Sequence, residues 1–351
     1  MGASGLALLA IRVSVLGIFA PTSVTVEAAG RTHALALRDG ALVVDGAPRD
    51  RFRSDPAPAV TVAVLDGRGR PRIVRRFRGA IEARASGGAI SLVDDLPVED
   101  YLPGTVALET HGDHPEALRA QAVVARTFAA RGSRHARAGF DLCDLTHCQT
   151  YRGLDGETEA ARAAVAATAG QVLTVAGKVA EVYFTATCGG ATADAADVWP
   201  DGGPRAHLRS VPCDACRESP DRAWRADVRI ADLKRALDPE ILGDESPTGV
   251  TVVERGAGGV VRSVRLDGTG ASMTGEQLRV LLGRALGWSV VKSNRFTVSK
   301  RLDGQALRFE GRGFGHGVGL CESGAAELAK RGASWREILA RYFPGATPAR
   351  R

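Results

Sequence analysis

The chain has 351 residues, 44% hydrophobic and 25% charged, a composition that is typical of globular proteins and excludes a disordered tail protein. Lysine and arginine exceed aspartate and glutamate by 46 to 40, an excess too small to require a nucleic-acid partner, so none is expected. No apolar stretch reaches the roughly 18 residues of a membrane-spanning helix, so no transmembrane segment is predicted. A chain of this length is long enough for two domains.

The first 94 residues are predicted to be a strand-rich N-terminal part. Residues 6–20 are apolar except for Arg12 and Ser14. This stretch would make a poor signal peptide, and residues 1–10 could be the remnant of one. The alternation of apolar and polar side chains over residues 11–16 instead favours a half-buried strand, with residues 23–26 as its partner. Further short apolar runs are separated by Asp-Gly and Gly-Gly turn signals, as in antiparallel sheets.

Residues 95–345 are predicted to mix helices and strands. Pro115 opens a helix that continues to residue 130, capped by Asp113 or His114, and a second helix spans about residues 157–169. Helices and strands do not alternate regularly, so the fold class is α+β. Further elements are predicted as strands at 172–175, 179–187 and 307–309, a hairpin at 250–267, and helices at 228–242, 275–286, 325–331 and 334–342.

Glu109 is a candidate general acid. It follows an apolar run and precedes the helix that Pro115 opens. A carboxyl group held partly out of water has a raised pKa and can donate a proton near neutral pH. The alternative is a structural role, in which Glu109 caps the helix or forms an ion pair with Arg119 or Arg126.

Six cysteines fall into two groups. His135, Cys143, His147 and Cys148 lie within fourteen residues and could close a tetrahedral zinc site, with a Cys143–Cys148 disulfide as the alternative. The other four cysteines could form a second zinc site or, in an exported protein, disulfides. We predict one cluster, with zinc favoured over disulfides, from Cys188, Cys213, Cys216 and Cys321.

Residues 311–324 read GRGFGHGVGLCESG. They lack the lysine of a phosphate-binding loop, and the strand–loop–helix context is poor, so a nucleotide site is not predicted. The glycines around His316 indicate a backbone that closely approaches a ligand or another loop. The alternative is a tight core turn in which His316 satisfies backbone groups.

Together these segments resemble the SpoIID/LytB family, which comprises sporulation protein D and the amidase enhancer. Its pattern of an exposed Glu, a Pro and E-A-L-[KR]-A-Q-A-V-x-A-R-T-[YF]-A is similar to Glu109, Pro115 and residues 116–129. The D-x2-H-C-Q-x-Y-x-G block resembles residues 144–153. Further blocks resemble residues 183–192, 313–320 and 342–345, so the resemblance covers about residues 95–345.

The resemblance implies a peptidoglycan lytic transglycosylase that cuts glycan strands stripped of stem peptides and leaves 1,6-anhydro-muramic ends, with Glu109 as the acid and base. One carboxyl group suffices for this chemistry, whereas hydrolytic glycosidases use two. The alternative is a non-catalytic wall-binding protein that enhances a cell-wall amidase. It is favoured by departures from the family pattern beside Glu109, where Thr110-His111 replaces Met-Pro and His114 replaces an aromatic residue.

The resemblance also implies further site residues and a location. Family members bind a structural zinc ion through two His and two Cys, which fits His135, Cys143, His147 and Cys148. An extracytoplasmic location, in the periplasm or cell wall, follows from the implied substrate. Predicted contacts with the glycan are Gln121, Arg126, Tyr183, Thr187 and His316.

Overall fold

The computed structural model describes residues 10–132, 134–237, 245–302 and 304–351. Helices and strands are mixed along the chain, and the strands form several separate sheets, which confirms the α+β class. The chain forms two compact units, one of Met1–Glu181 with Pro348–Arg351 and the other of Val182–Thr347. Within these described ranges, none of the helices combines the length and apolar character needed to cross a membrane.

The first unit is built on two sheets at its N-terminal side. Their strands are β1 (Ala10–Val15), β2 (Ser23–Ala28), β3 (Arg31–Arg38), β4 (Ala41–Val44), β5 (Ala47–Arg49), β6 (Phe52–Arg53), β7 (Val60–Leu65), β8 (Pro71–Phe77), β9 (Ala80–Ser86), β10 (Ala89–Pro97) and β11 (Leu142–Cys143). One sheet has the order β11-β1-β10-β9-β6 and the other β5-β4-β3-β2-β7-β8. The boundary predicted between residues 94 and 95 falls inside β10.

The strand predicted at residues 11–16 is present as β1, but the partner predicted for it was wrong. β1 pairs with β10 and β11, whereas β2 pairs with β3 and β7. Leu16 and Ala20 both adopt left-handed backbone conformations on either side of a short 3-10 turn. This corner turns the chain away from the first sheet, so β2 enters the other one. The proposed signal-peptide remnant lies almost wholly outside the described residues.

Helices complete the first unit. The helix predicted from Pro115 is confirmed, and most of its residues between 117 and 129 are buried. His114 precedes it without a capping side-chain hydrogen bond, and the second predicted helix is present in shorter form. The remaining elements are α1 (Val98–Tyr101), α2 (Pro103–Val106), α3 (Pro115–Ala130), α4 (Glu159–Ala167), and a sheet of β12 (Gln171–Val175), β13 (Lys178–Val179) and β22 (Thr347–Arg350).

A buried carboxyl group on β10 makes the first unit sensitive to pH. Asp94 is fully buried and accepts a hydrogen bond of 2.7 Å from Tyr151 Oη. Burial raises the pKa of Asp94 from its ordinary value of 3.8 to about 7. The folded state therefore binds a proton more tightly than the unfolded chain, and the free energy of unfolding falls as the pH rises from about 4 to 7.

We expect Asp94→Asn to remove this decline, because an amide does not titrate. The parent should lose about 1.4 kcal/mol of unfolding free energy per pH unit between pH 5 and pH 7, and the variant should not. The difference between the two proteins should therefore change by roughly 3 kcal/mol, in favour of the variant, between pH 5 and pH 8. Urea unfolding at a series of pH values measures the difference. Parallel curves for the two proteins would show that Asp94 does not titrate in this window.

The second unit also combines strands and helices. Its elements are β14 (Phe184–Thr185), α5 (Ala195–Val198), β15 (Trp224–Arg229), α6 (Ile230–Ala236), β16 (Gly249–Arg255), β17 (Val261–Asp267), β18 (Ser272–Met273), α7 (Gly275–Leu286), β19 (Phe296–Lys300), β20 (Ala306–Gly311), β21 (Leu320–Cys321), α8 (Glu322–Lys330) and α9 (Trp335–Tyr342). Among its described residues the strands form three small sheets, with orders β14-β21, β15-β20-β19 and β16-β17-β18. Its apolar core includes Val264, Leu278, Leu282 and Phe309, all fully buried.

Most elements predicted for this unit are present, including the hairpin β16–β17 and the helices α7, α8 and α9. The helix predicted at 228–242 was partly wrong, because Val228 and Arg229 end a strand that pairs with β20 along its length. Residues 238–242 of that prediction lie outside the described residues. In place of the single strand predicted at 179–187, the structure has the short strands β13 and β14. Each of them pairs with its neighbour over only two residues.

Candidate functional site

Glu109 lies on the turn between α2 and α3, where its backbone N–H donates to Thr105 O at 3.1 Å. Its side-chain Oε1 accepts a hydrogen bond of 2.5 Å from the backbone N–H of Thr150. Burial raises the pKa of Glu109, and the hydrogen bonds from Thr150 oppose this shift without cancelling it. A carboxyl group with a raised pKa and a fixed orientation is suited to donating a proton near neutral pH.

The ion pairs considered for Glu109 were wrong, because both arginines have other partners. Arg119 pairs with Glu116 one turn earlier on α3. Arg126 is buried and binds Glu99 through two hydrogen bonds of 2.7 and 2.8 Å. These contacts give Arg126 a role in joining α3 to α1.

The first group of cysteines and histidines comes together as a compact cluster. The metal-binding atoms of its four residues all lie within 4.8 Å of one another. Cys143 is placed by β11, whose register sets it beside Ser14 of β1. Both cysteines are free thiols rather than a disulfide. The cluster comprises His135, Cys143, His147 and Cys148.

The distances within this cluster match a tetrahedral metal site. His135 Nε2 and His147 Nδ1 each lie 3.4 Å from Cys148 Sγ, and Cys143 Sγ lies 3.8 Å from His147 Nδ1. Zinc bonds of about 2.0 Å to nitrogen and 2.3 Å to sulfur place two such ligands roughly 3.6 Å apart. The four residues can therefore hold a metal ion and would leave no open position on it.

The loop that carries Cys148 also supplies the hydrogen bond to Glu109. Cys148 lies two residues before Thr150, whose N–H donates to Glu109. The intervening residue, Gln149, is held by a hydrogen bond of 2.9 Å that Tyr101 Oη donates to its Oε1. A metal ion bound at Cys148 would therefore limit the movement of the backbone that orients the carboxyl group. Sequence reasoning missed this contact because nothing in the residue pattern pairs positions 109 and 150.

Gln121 lies on α3 in the same unit. Its side chain is only 1% exposed, and neither Nε2 nor Oε1 has a hydrogen-bond partner within the part of the chain that the structure describes. Buried amides in native proteins are normally paired with protein, water or a ligand. Gln121 is thus an unpaired polar group in the unit that carries Glu109.

The other predicted glycan contacts lie in the second unit. The rings of Tyr183 and His316 are joined by Trp199, with centroid distances of 4.5 Å from Tyr183 to Trp199 and 5.0 Å from Trp199 to His316. All three side chains are half-buried. Thr187, in contrast, is buried and its hydroxyl lies 2.7 Å from Ser323 Oγ. Sequence reasoning missed Trp199 as a site residue, although it follows the block that contains Tyr183.

The glycines of residues 313–320 allow close backbone approaches. Gly319 has a φ of +78°, and a Cβ at this position would overlap the carbonyl oxygen of Tyr183. Gly317 N donates to Thr185 Oγ1 at 3.2 Å, and Val318 N donates to His316 Nδ1 at 3.0 Å. The loop therefore packs against β14, and the His316 ring accepts a hydrogen bond from its own loop.

We expect Gly319→Ala to destabilise the second unit more than Gly345→Ala. Gly345 has a similar φ of +82°, but a Cβ there meets nothing within 4 Å. Gly345→Ala should cost only the left-handed backbone penalty of about 1–2 kcal/mol. Gly319→Ala adds an overlap that costs roughly 1–3 kcal/mol more. Thermal melting of both variants tests this, and equal melting temperatures would contradict the close packing at Gly319.

The remaining cysteines also come together, within the second unit. They are Cys188, Cys213, Cys216 and Cys321, all buried free thiols whose sulfur atoms lie within 4.8 Å of one another. The structure thus brings together each of the two predicted ligand sets. Cysteine and histidine side chains of this kind could bind a metal ion at both places.

Comparison with known proteins places these features in a family. The family described as stage II sporulation protein (SpoIID) matches residues 86–175, and a domain of unknown function matches residues 217–319. An uncharacterised protein of Brachyspira hyodysenteriae is 30% identical over 257 residues, covering 72% of this chain and 67% of that protein.

Two Bacillus subtilis proteins are also similar to the chain. Stage II sporulation protein D is 29% identical over 273 residues, covering 72% of this chain and 74% of the relative. The amidase enhancer is 27% identical over 277 residues, covering 66% of this chain but only 38% of the relative. Both names agree with the sequence motifs around Glu109 and His316, and the chain therefore belongs to the SpoIID/LytB family.

Proposed function

We propose that the protein is a lytic transglycosylase that cleaves peptidoglycan glycan strands lacking stem peptides. The observation that carries the proposal is Glu109, a half-buried carboxyl group with a raised pKa that is oriented by the N–H of Thr150. Such a substrate implies an extracytoplasmic site of action, in the periplasm or the cell wall.

Glu109 would act twice in the reaction. As an acid it donates its proton to the glycosidic oxygen while the bond from that oxygen to muramic C1 breaks. As a carboxylate it then takes the proton of the muramic C6 hydroxyl, whose oxygen forms a bond to C1. The product has a 1,6-anhydro end and no water is consumed, so a second carboxylate is not required.

Other side chains would bind the glycan. Gln121 stays a predicted glycan contact, and any ligand or water that reached its buried amide would satisfy it. In the second unit, Tyr183, Trp199 and His316 offer ring faces and edges of the kind that pack against sugars, and Thr187 supports their loop. Arg126 is bound to Glu99, so we propose for it a structural role.

We propose zinc as the metal of the first cluster. Two thiolates and two imidazoles form a ligand set that zinc favours, and the distances fit its tetrahedral geometry. With four protein ligands, the ion would supply structural support rather than a reactive position. His135, Cys143, His147 and Cys148 would hold the loop that carries Thr150.

The alternative function is that of a wall-binding protein that enhances a cell-wall amidase. The altered residues Thr110, His111 and His114 beside Glu109 favour it, as does the similarity to a relative named amidase enhancer. The test is incubation of the purified protein with peptide-free strands, followed by measurement of soluble fragments and of bound protein. Release of fragments supports the transglycosylase, whereas binding without release, together with faster cleavage by an added amidase, supports the enhancer.

A further inference from the structure

We infer that Cys188, Cys213, Cys216 and Cys321 hold a second structural zinc ion, which fixes residues 313–320 of the second unit. This inference is independent of the proposed catalytic function. The four side chains are between 0% and 3% exposed. A buried group of four free thiols with no metal would be an unusual way to fill a core, whereas a tetrathiolate site is a common structural zinc centre.

The spacing of the sulfur atoms fits one metal ion better than two disulfides. Cys188 Sγ lies 3.6 Å from Cys216 Sγ. Zinc–sulfur bonds of about 2.3 Å in a tetrahedron place two sulfurs roughly 3.8 Å apart, whereas a disulfide requires about 2.05 Å. Cys213 and Cys216 have the two-residue spacing of a zinc-binding turn, and Cys216 Sγ lies 3.5 Å from the carbonyl oxygen of Cys213.

The surroundings supply the hydrogen bonds that metal-bound thiolates accept. The backbone N–H groups of Cys188 and Gly324 donate to Cys321 Sγ at 3.3 and 3.4 Å. Tyr342 Oη lies 3.1 Å from Cys213 Sγ. Such outer contacts orient the ligands and spread their negative charge. They make the cluster a built site rather than a chance meeting of cysteines.

A positive charge lies beside the four thiols, and the surrounding atoms pack closely against them. The Arg295 guanidinium donates to the carbonyl oxygens of Cys188 and Ala191 at 2.9 and 2.8 Å, which places a cation beside the thiolates. A Cβ added at Gly324 would lie 2.8 Å from Cys213 Sγ and would overlap Tyr342 Oη. Glycine is therefore needed here for the ligands to come together.

Two of the four ligands, Cys188 and Cys321, lie at the ends of the segments that hold the glycine loop. Cys188 follows Thr187, whose backbone exchanges hydrogen bonds of 3.2 and 2.7 Å with Phe314. Cys321 ends β21, which pairs with β14 through the register Thr185–Cys321. A metal ion joining these two cysteines would clamp the loop that carries His316 from both sides.

Metal analysis tests the inference on the full chain, purified under reducing conditions. We expect two zinc ions per chain in the parent, one in Cys216→Ser and one in Cys148→Ser, because each variant lacks a ligand from a different cluster. Cobalt-loaded Cys148→Ser should show the absorption of a tetrathiolate site. One zinc per parent chain, iron in place of the second zinc, or disulfides that mass spectrometry finds among these cysteines would overturn the inference.

Hydrogen exchange tests the effect on the loop without reference to activity. In Cys216→Ser the backbone amides of residues 313–320 should exchange faster than in the parent, while those of α3 in the first unit remain protected. If Cys216→Ser does not fold, Cys216→His provides the comparison, since imidazole is also a zinc ligand and should restore the second ion. Unchanged exchange in a folded, singly loaded variant would overturn the role assigned to the metal.

Discussion

Replacing Glu109 by glutamine is expected to lower the rate of strand cleavage by about 10²–10⁴-fold, the range that a positioned acid or base contributes. The amide oxygen can still accept the hydrogen bond from Thr150 N, so the local fold and the binding of strands should remain. What is lost is the proton that protonates the leaving oxygen. The measurement is the initial rate of fragment release together with the dissociation constant for uncleaved strands.

Glu159→Gln is the matched control for this experiment. Glu159 is exposed in the first turn of α4 in the same unit, and its replacement changes the charge of the protein by the same amount. We expect the control to cleave at the parent rate. Retention of more than a tenth of the rate by Glu109→Gln would exclude Glu109 as the acid.

The second large effect is expected from Cys148→Ser, which removes the buried sulfur of the first cluster. A structural zinc contributes several kcal/mol to folding, and a loss of about 3 kcal/mol lowers the melting temperature of a unit of this size by roughly 6–12 °C. Cleavage should fall as well, because Thr150 and its N–H lie on the released loop. Metal content, melting temperature and cleavage rate are measured on one preparation.

Thr146→Ala serves as the control for Cys148→Ser. Thr146 is exposed on the same loop and contributes no atom to the cluster. The control should keep its zinc, its melting temperature and its cleavage rate. A Cys148→Ser protein that retains the full zinc content of the parent, or that melts at the same temperature, would contradict the assignment of the cluster.

Helices could be predicted from the sequence where the residues that determine them lie within a few turns of one another. The helix α3 begins at Pro115 and α7 spans the predicted residues, since proline placement and apolar spacing act within a few turns. Pairing between distant strands was not predictable in the same way. The alternation in β1 gives it a buried face, but any strand with a matching face could pair with it. The backbone corner at Leu16 and Ala20 decided which strand did.

The residues of the candidate site could be predicted from the sequence better than the contacts that those residues make. Cysteine and histidine spacing identified both clusters, because few other arrangements satisfy four such side chains. The partner of Glu109 is a backbone N–H, which every non-proline residue carries, so no residue type marks Thr150 in advance. The packing of the Trp199 ring against Tyr183 is a contact that only the folded chain reveals.

In the proposed reaction, C1 of the muramic residue is transferred to its own C6 hydroxyl rather than to water. Mass spectrometry of strands cleaved in water enriched in heavy oxygen distinguishes these two acceptors. We expect 1,6-anhydro ends that are lighter than reducing ends by one water and carry no heavy oxygen, formed by the parent and not by Glu109→Gln. New reducing ends that carry the heavy isotope would show hydrolysis and would contradict the transglycosylase proposal.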